Sequence, residues 1–354
     1  MSALQTDGRV AEGRLLTVEN LRTTFATERG PVRAVDGVSL TLDRGQALGI
    51  VGESGSGKTV LSRSIMGLLP STARREGRIR FGDHDLLGPD APDMSSLWGR
   101  EMSMVFQNPM VSLNPVMKIG EQIAEPLRIH LGMSRRDARS TAVRLLRDVR
   151  IPEPDRRLDQ YPHELSGGMR QRVMIAIALA CGPTLLFADE PTTALDVTVQ
   201  AQILDLIAEQ RTERNMSVVL VTHDLGVVAG HTDVIAVMYG GRLVEVAPTA
   251  VLFSDMRMPY TEALLQSIPR LDQPSHTRLN AIPGRPPELL DPPPGCAFAP
   301  RCAFARDRCR EEAPPLTETD NPEHRFACWY PVGSPEHSEA KERIAAGLQI
   351  GSSS

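Results

Sequence analysis

Aromatic residues are scarce in this 354-residue chain, at 4% of positions, which argues against a protein that stacks nucleic-acid bases on aromatic platforms. A surplus of positive charge is also lacking. The formal net charge is −5, so the chain has no electrostatic footprint for a nucleic-acid backbone and no nucleic-acid partner is expected. No long apolar run is present either. The most apolar stretch, residues 173–187, is broken by Gly182 and Pro183 and falls short of the roughly twenty residues that a bilayer-spanning helix needs. The first segment, MSALQTDGRVAEGR, is polar and lacks the apolar core of a secretory signal. These absences predict a soluble, cytoplasmic protein. Cysteine is rare, with 5 in all, yet Cys296, Cys302, Cys309 and Cys328 fall close together near the C-terminus. In a reducing compartment, clustered cysteines read as metal ligands before they read as disulfides. The fifth, Cys181, sits in the apolar LACGPTLL and reads as a small buried hydrophobe. No internal repeat is visible.

What is present is an alternation of strand and helix patterns. Residues 1–14 read as a flexible N-terminus. Residues 15–50 alternate apolar and polar in short runs punctuated by Gly30, Gly37 and Gly45, which predicts antiparallel strands. QALGIV (46–51) reads as a buried strand; it runs straight into GESGSGKT and then a helical VLSRSIMGLL. From about residue 110 to 180 the period turns helical, with IGEQIAEPLRIHL and RDARSTAVRLLRDV as amphipathic stretches. TLLFADE (184–190) and SVVLVTHD (217–224) are again buried-strand runs. This order predicts an α/β fold with a parallel-centred sheet, an antiparallel β subdomain and a helical insertion. Composition changes after about residue 270. Residues 283–294, PGRPPELLDPPP, are half proline and predict a stiff extended linker.

The chemistry begins at the first strand-to-helix junction. Gly52, Gly55, Gly57, Lys58 and Thr59 fit G-x-x-x-x-G-K-[ST], with Glu53, Ser54 and Ser56 between the glycines. Glycines let backbone N–H groups approach phosphates closely, and the following helix N-terminus adds positive potential. Lys58 is placed to hold the β- and γ-phosphates of ATP, and the Thr59 hydroxyl to ligate Mg²⁺. Asp189 and Glu190 close the strand TLLFADE. Alone they are an ordinary solvated strand end; downstream of a P-loop they read as a Mg²⁺ ligand and the group that polarises the attacking water.

LSGGMRQ, residues 165–171, makes a family nameable. The segment resembles the signature motif of the ATP-binding subunits of ABC transporters. Other segments resemble that family's remaining motifs in order: Gln107 in VFQNP its Q-loop, Asp196 in ALD its D-loop, and His223 in LVTHD its switch histidine. The resemblance covers roughly residues 15–270, with a helical subdomain at about 108–175. It implies a P-loop ABC ATPase core in which Glu190, His223 and Gln107 are catalytic, and Thr59, Gln107 and Asp189 serve Mg²⁺. It further implies that Ser166, Gly167, Gly168 and Asp196 contribute to ATP binding, the signature turn completing the site of an opposing subunit. On its residues alone, Ser166 reads better as a plain helix N-cap. The family's aromatic adenine-stacking position falls by spacing on Arg29, with Phe25 nearby. A guanidinium plane also stacks on bases, and the choice between the two stays open.

VGESGSGKT, NPMVSLNPV, DEPTTALDVTVQAQI and the tail IPGRPPELLDPPPGCAFAPRCAFARDRC are similar to the oligopeptide/dipeptide importer branch. That branch implies ATP-driven peptide import at the cytoplasmic face of the cell membrane. Its implied partners are a second, related but non-identical ATPase chain, two transmembrane permease subunits and, indirectly, an extracytoplasmic solute-binding protein. Nickel, glutathione or sugars remain as alternative solutes, and a soluble ABC ATPase with no transport role is the rival reading. It also divides the tail into a Cys-rich C-terminal domain at 271–335 and a terminal segment at 336–354. The spacing Cys296-x5-Cys302-x6-Cys309-x18-Cys328 is unlike the close knuckles of structural zinc sites. Four thiolates are also the ligand set of a [4Fe–4S] cluster, which the resemblance implies here. Zn²⁺, with His324 able to replace one thiolate, and free or redox-active thiols are the alternatives. With so much proline and so little apolar sequence, a metal would supply folding free energy that the tail's own core does not.

Overall fold

The computed structural model of the chain describes residues 13–193, 195–268, 282–290 and 292–346. Most of the expected N-terminal segment, and the end of the terminal segment after residue 346, lie outside the described residues.

A long hairpin comes first: β1 (Arg14–Thr27) and β2 (Gly30–Asp43) pair antiparallel. β3 (Ala47–Val51) is buried at every position and leads through a glycine-rich turn into α1 (Lys58–Met66). β4 (Ala73–Phe81) pairs antiparallel with β1, and the short β5 (His84–Asp85) with β4, so the first sheet runs β2-β1-β4-β5. β6 (Met102–Val105) precedes the helices α2 (Pro109–Ser112), α3 (Ile119–Leu131), α4 (Arg135–Asp148), α5 (Pro154–Arg157) and α6 (Gly167–Leu179). Then come β7 (Leu185–Asp189), α7 (Val197–Arg214), β8 (Ser217–Thr222), β9 (Val234–Tyr239) and β10 (Arg242–Pro248).

Strands β6, β7, β8, β3 and β9 are mutually parallel in that order, with β10 antiparallel at the side of β9. Continuous apolar runs suit this position, because a parallel sheet is covered on both faces. Alternate residues enter separate cores. Leu185 and Phe187 of β7 face the core closed by the antiparallel sheet and α1, together with Leu16, Leu61 and Phe81. Leu186 and Ala188 face the core closed by the helices, together with Ile123, Leu146, Val173 and Ile203.

Two features of the C-terminal part depart from a metal-held appendage on a linker. Residues 283–290 have no helix or strand, yet they lie on the core instead of spacing it from the tail. The Leu289 carbonyl accepts from the Arg33 N–H at 3.0 Å. The tail also extends the main sheet. Two short strands, β11 (Thr317–Glu318) and β12 (Arg325–Phe326), add antiparallel to β10, giving the order β11-β12-β10-β9-β3-β8-β7-β6. Beneath this edge Glu245 is fully buried. It accepts backbone N–H groups of Arg257 and Met258 at 2.5 and 3.1 Å, and His324 Nε2 lies 2.9 Å from its Oε1. His324 is thereby committed to Glu245 and does not join the cysteines, which corrects the reading of it as a substitute ligand.

Candidate functional site

The turn after β3 is shaped by close backbone approach. A Cβ at Gly52 would collide with the Met238 carbonyl oxygen, and one at Gly57 with the Ala34 carbonyl oxygen; only glycine fits at these points. Gly57, at φ 102°, starts α1, so the turn's N–H groups and the helix end face one concavity. Lys58 is buried and donates its Nζ to the carbonyls of Gly52 and Glu53 at 2.7 and 2.9 Å. Burial pushes its pKa down, while the carboxylates of Glu190, Asp189 and Glu53 pull it back up. The ammonium thus stands at the floor of the turn's concavity, held by two backbone carbonyls, a placement suited to a polyphosphate.

Thr59 Oγ1 donates to Asp189 Oδ1 at 2.9 Å. Asp189 is wholly buried at the end of β7, and its Oδ2 has no hydrogen-bond partner. Burial is the main cause that raises its carboxyl pKa, and the neighbouring Glu190 adds to it. A buried carboxylate oxygen without a partner is unusual. Beside a hydroxyl it makes a hard oxygen donor set of the kind Mg²⁺ takes, so Thr59 and Asp189 fit the expected metal.

Glu190, the next residue, collects the remaining polar groups. It lies in the left-handed region at φ 45°, a conformation that costs about 1 kcal/mol or more in a non-glycine residue and clusters at functional sites. Its Oε2 accepts from Gln107 Nε2 at 2.9 Å and from Thr193 Oγ1 at 2.8 Å. His223 Nδ1 stands 3.4 Å from its Oε1, with a largely exposed ring. The structure therefore brings together Lys58, Thr59, Asp189, Glu190, Gln107 and His223. Thr193, in the PTT that follows Glu190, was missed by sequence reasoning because a threonine there carries no distinguishing pattern.

The other expected ATP residues lie elsewhere. Ser166 caps α6, its Oγ accepting from the Met169 N–H at 3.3 Å. Gly167 and Gly168 lie against Leu195 and Val199, so the signature turn abuts the head of α7. There Asp196 is the N-cap, accepting from the Val199 N–H at 3.0 Å. Among the described residues no hydrogen bond joins Ser166–Gly168 or Asp196 to residues 52–59. Arg29 is exposed on the β1–β2 turn and Phe25 is half-buried in β1. Ser54 is exposed at the tip of the turn, and Ser56 is buried with its hydroxyl unpartnered.

Glu53 is tied to the C-terminal part. Its N–H donates to the Tyr260 hydroxyl at 2.9 Å, and its carboxylate takes both ends of the Arg301 guanidinium, at 2.5 and 2.9 Å. Tyr239, Tyr260 and Phe298 form a three-ring cluster with centroids 4.5–5.4 Å apart.

The four tail cysteines line one small, mostly apolar cavity together with Phe298, Phe304, Trp329 and Tyr330. All four are free thiols. Burial pushes the Cys296, Cys302 and Cys328 thiols up, Cys302 to about 12, and the other cysteines of the group push the same way. Among the described residues no three His, Cys, Asp or Glu side chains converge as a metal-holding group, so the expectation of a metal-binding tail rests on the cavity's donor set alone. Cys181 packs against the helical core but is half-buried, not fully buried as expected.

A family model described as ABC transporter matches residues 35–193, and one described as the C-terminal region of oligopeptide/dipeptide transporters matches residues 244–309. The oligopeptide transport ATP-binding protein OppD of Salmonella typhimurium is 49% identical over 318 residues, covering 90% of this chain and 94% of that protein. The dipeptide transport ATP-binding protein DppD of Bacillus subtilis is 47% identical over 327 residues, covering 92% and 97%. A solved dimer of an ATP-binding cassette in a post-hydrolysis state, bound to ADP and Pi, matches with a TM-score of 0.60 at 28% identity. That match covers 66% of this chain and 99% of the other.

Proposed function

The chain belongs to the ATP-binding subunits of ABC transporters, in the oligopeptide/dipeptide branch, and on that premise we propose that it is the ATPase powering peptide import across the cytoplasmic membrane. The observation that carries the chemistry is the convergence of Gln107 and His223 on Glu190, beside a buried Asp189 bonded to the P-loop hydroxyl of Thr59.

In this reading the P-loop amides and Lys58 bind the β- and γ-phosphates, and Lys58 exchanges its two backbone carbonyl partners for phosphate oxygens. Thr59 and Asp189, with Gln107, would hold Mg²⁺, which when bound neutralises charge on the transferring phosphoryl group. Glu190 accepts a proton from the attacking water. Gln107 and Thr193 fix the orientation of its carboxylate through one oxygen, and His223, beside the other, would contact the γ-phosphate. Ser166, Gly167, Gly168 and Asp196 would serve the site of a second ATPase chain, consistent with their distance from this P-loop in the hydrogen-bond network. The adenine would stack near Arg29 or Phe25.

The importer role fits a surface next to Gln107. Phe106, Met110, Val111 and Val116 are exposed apolar side chains in the segment that also carries the catalytic glutamine. Exposed apolar clusters of this kind mark protein contacts, here two membrane-embedded permease subunits. No helix among the described residues is long and apolar enough to cross a membrane, so the chain would act as a peripheral subunit on the cytoplasmic face. A second ATPase chain of related sequence completes the pair, and an extracytoplasmic solute-binding protein delivers peptide.

For the tail, the four thiols line one cavity and are the soft ligand type that iron–sulfur clusters take. Cys296, Cys302, Cys309 and Cys328 would hold a [4Fe–4S] cluster, whose charge compensates the thiolates. The test of the whole reading is co-purification with two polytopic membrane proteins, followed by peptide-dependent ATP hydrolysis. Failure of the chain to hydrolyse ATP in that complex would remove it.

A further inference from the structure

Arg301 lies in the turn between Cys296 and Cys302 and reaches toward the P-loop, where it meets Glu53. Its side chain is 4% exposed and makes five hydrogen bonds: two to the Glu53 carboxylate, one to the Tyr239 hydroxyl at 3.1 Å, and two to the linker carbonyls of Pro283 and Ile282 at 2.8 and 3.3 Å. All the donors of the planar fork are thereby used. Among the described residues Arg301 is the cation in ion-pair contact with the Glu53 carboxylate.

Glu53 is an awkward residue in its position. It is the second residue of a loop whose task is to hold several negative charges, and its carboxylate is near enough to act on the charge of Lys58. An uncompensated carboxylate there repels the incoming phosphates through a poorly screened medium. It also competes with them for the loop's lysine.

We propose that Arg301 is a positioning residue of the nucleotide site: it neutralises Glu53, turns its carboxylate out of the phosphate concavity, and so makes the cysteine-bearing tail part of the ATP site. This rests on the P-loop reading above. The clamp is two-sided. Tyr260 holds the Glu53 backbone N–H, Arg301 holds the side chain, and Phe298 and Tyr239 brace both anchors. The turn between Cys296 and Cys302 presents Arg301 to the P-loop while its two cysteines and Phe298 line the cavity. A change in the cavity therefore reaches the P-loop through a single bonded neighbour, Cys302 to Arg301.

The test is equilibrium binding of Mg·ATP and of adenosine to the purified full chain carrying Arg301→Gln, Glu53→Gln, both, or Arg301→Lys, with folding followed by circular dichroism. Arg301→Gln is expected to weaken ATP binding on the order of tenfold and leave adenosine binding unchanged. Glu53→Gln in the same chain is expected to restore ATP affinity to near wild type, because the charge that needed compensation is gone. Arg301→Lys keeps the charge and stays close to wild type. A double variant as weak as Arg301→Gln, or an Arg301→Gln chain that binds ATP normally, overturns the proposal. If Arg301→Gln does not fold, folding and ATP binding by the double variant supports it, and weak ATP binding by a folded Arg301→Lys chain counts against it. A wild-type chain that binds no ATP at all instead removes the P-loop reading, so the two failures are distinct.

Discussion

Gln107 donates its side-chain amide to Glu190 across 2.9 Å, joining residues 83 apart in sequence. One lies after the edge strand of the parallel sheet and the other after its neighbour, so the contact depends on both strands ending at the same level. Replacing Glu190 with Gln keeps a hydrogen-bonding partner for Gln107 and removes the base. Hydrolysis is expected to fall by about 100-fold or more, while Mg·ATP affinity changes little. Phosphate release and equilibrium binding on the same preparation check this. Near-wild-type hydrolysis would show that Glu190 is not the base.

Asp189 is expected to cost the metal-free chain stability. Its folded-state pKa is raised above the ordinary carboxyl value of 3.8, chiefly by burial. For a raised carboxyl the folded chain binds the proton more tightly than the unfolded one. The cost is therefore absent below the unfolded pKa and fully present above the folded pKa, including at neutral pH. Asp189→Asn should raise the metal-free melting temperature at pH 7, by the equivalent of about 1 kcal/mol, and abolish the further rise that Mg·ATP gives the wild type. Thermal melts with and without Mg·ATP test both parts. A less stable metal-free variant would mean that the Thr59 hydrogen bond outweighs the burial cost.

His324 and Glu245 form a buried pair beneath the strand edge that the tail adds to. Removing one member of such a pair strands the other. His324→Ala should cost about 3 kcal/mol in urea unfolding and expose the tail to proteolysis first. Adding Glu245→Gln should recover part of the loss. Unchanged stability would place the tail's attachment elsewhere.

Anaerobic purification of the full chain should give a brown protein with about four irons per chain, and Cys302→Ser should lower the iron content. A colourless protein with stoichiometric zinc would replace the cluster with a single-ion site.

Most of the nucleotide site could be read in sequence because local backbone demands dictate it. Gly52 and Gly57 stand where any Cβ would strike a carbonyl, and strands β3, β7 and β8 are buried on both faces and so appear as unbroken apolar runs. Long-range pairings were not legible. Arg301 meets Glu53 over a separation of 248 residues, and an arginine in the tail carries no local mark of its partner. Strands β11 and β12 have two residues each, too few for any period to show. The proline-rich segment signalled extension but not what it lies on. That surface depends on Arg33 and Arg301, each bonding a different linker carbonyl.

The central claim is that ATP hydrolysis at this site drives peptide import. Its most direct test is uptake of a labelled oligopeptide into vesicles that hold the complete complex, with ATP supplied on the side this chain faces. Uptake is expected to depend on ATP and to be lost when this chain carries Glu190→Gln. Uptake that proceeds undiminished with that variant, or a complex that moves no peptide while hydrolysing ATP for another solute, would contradict it.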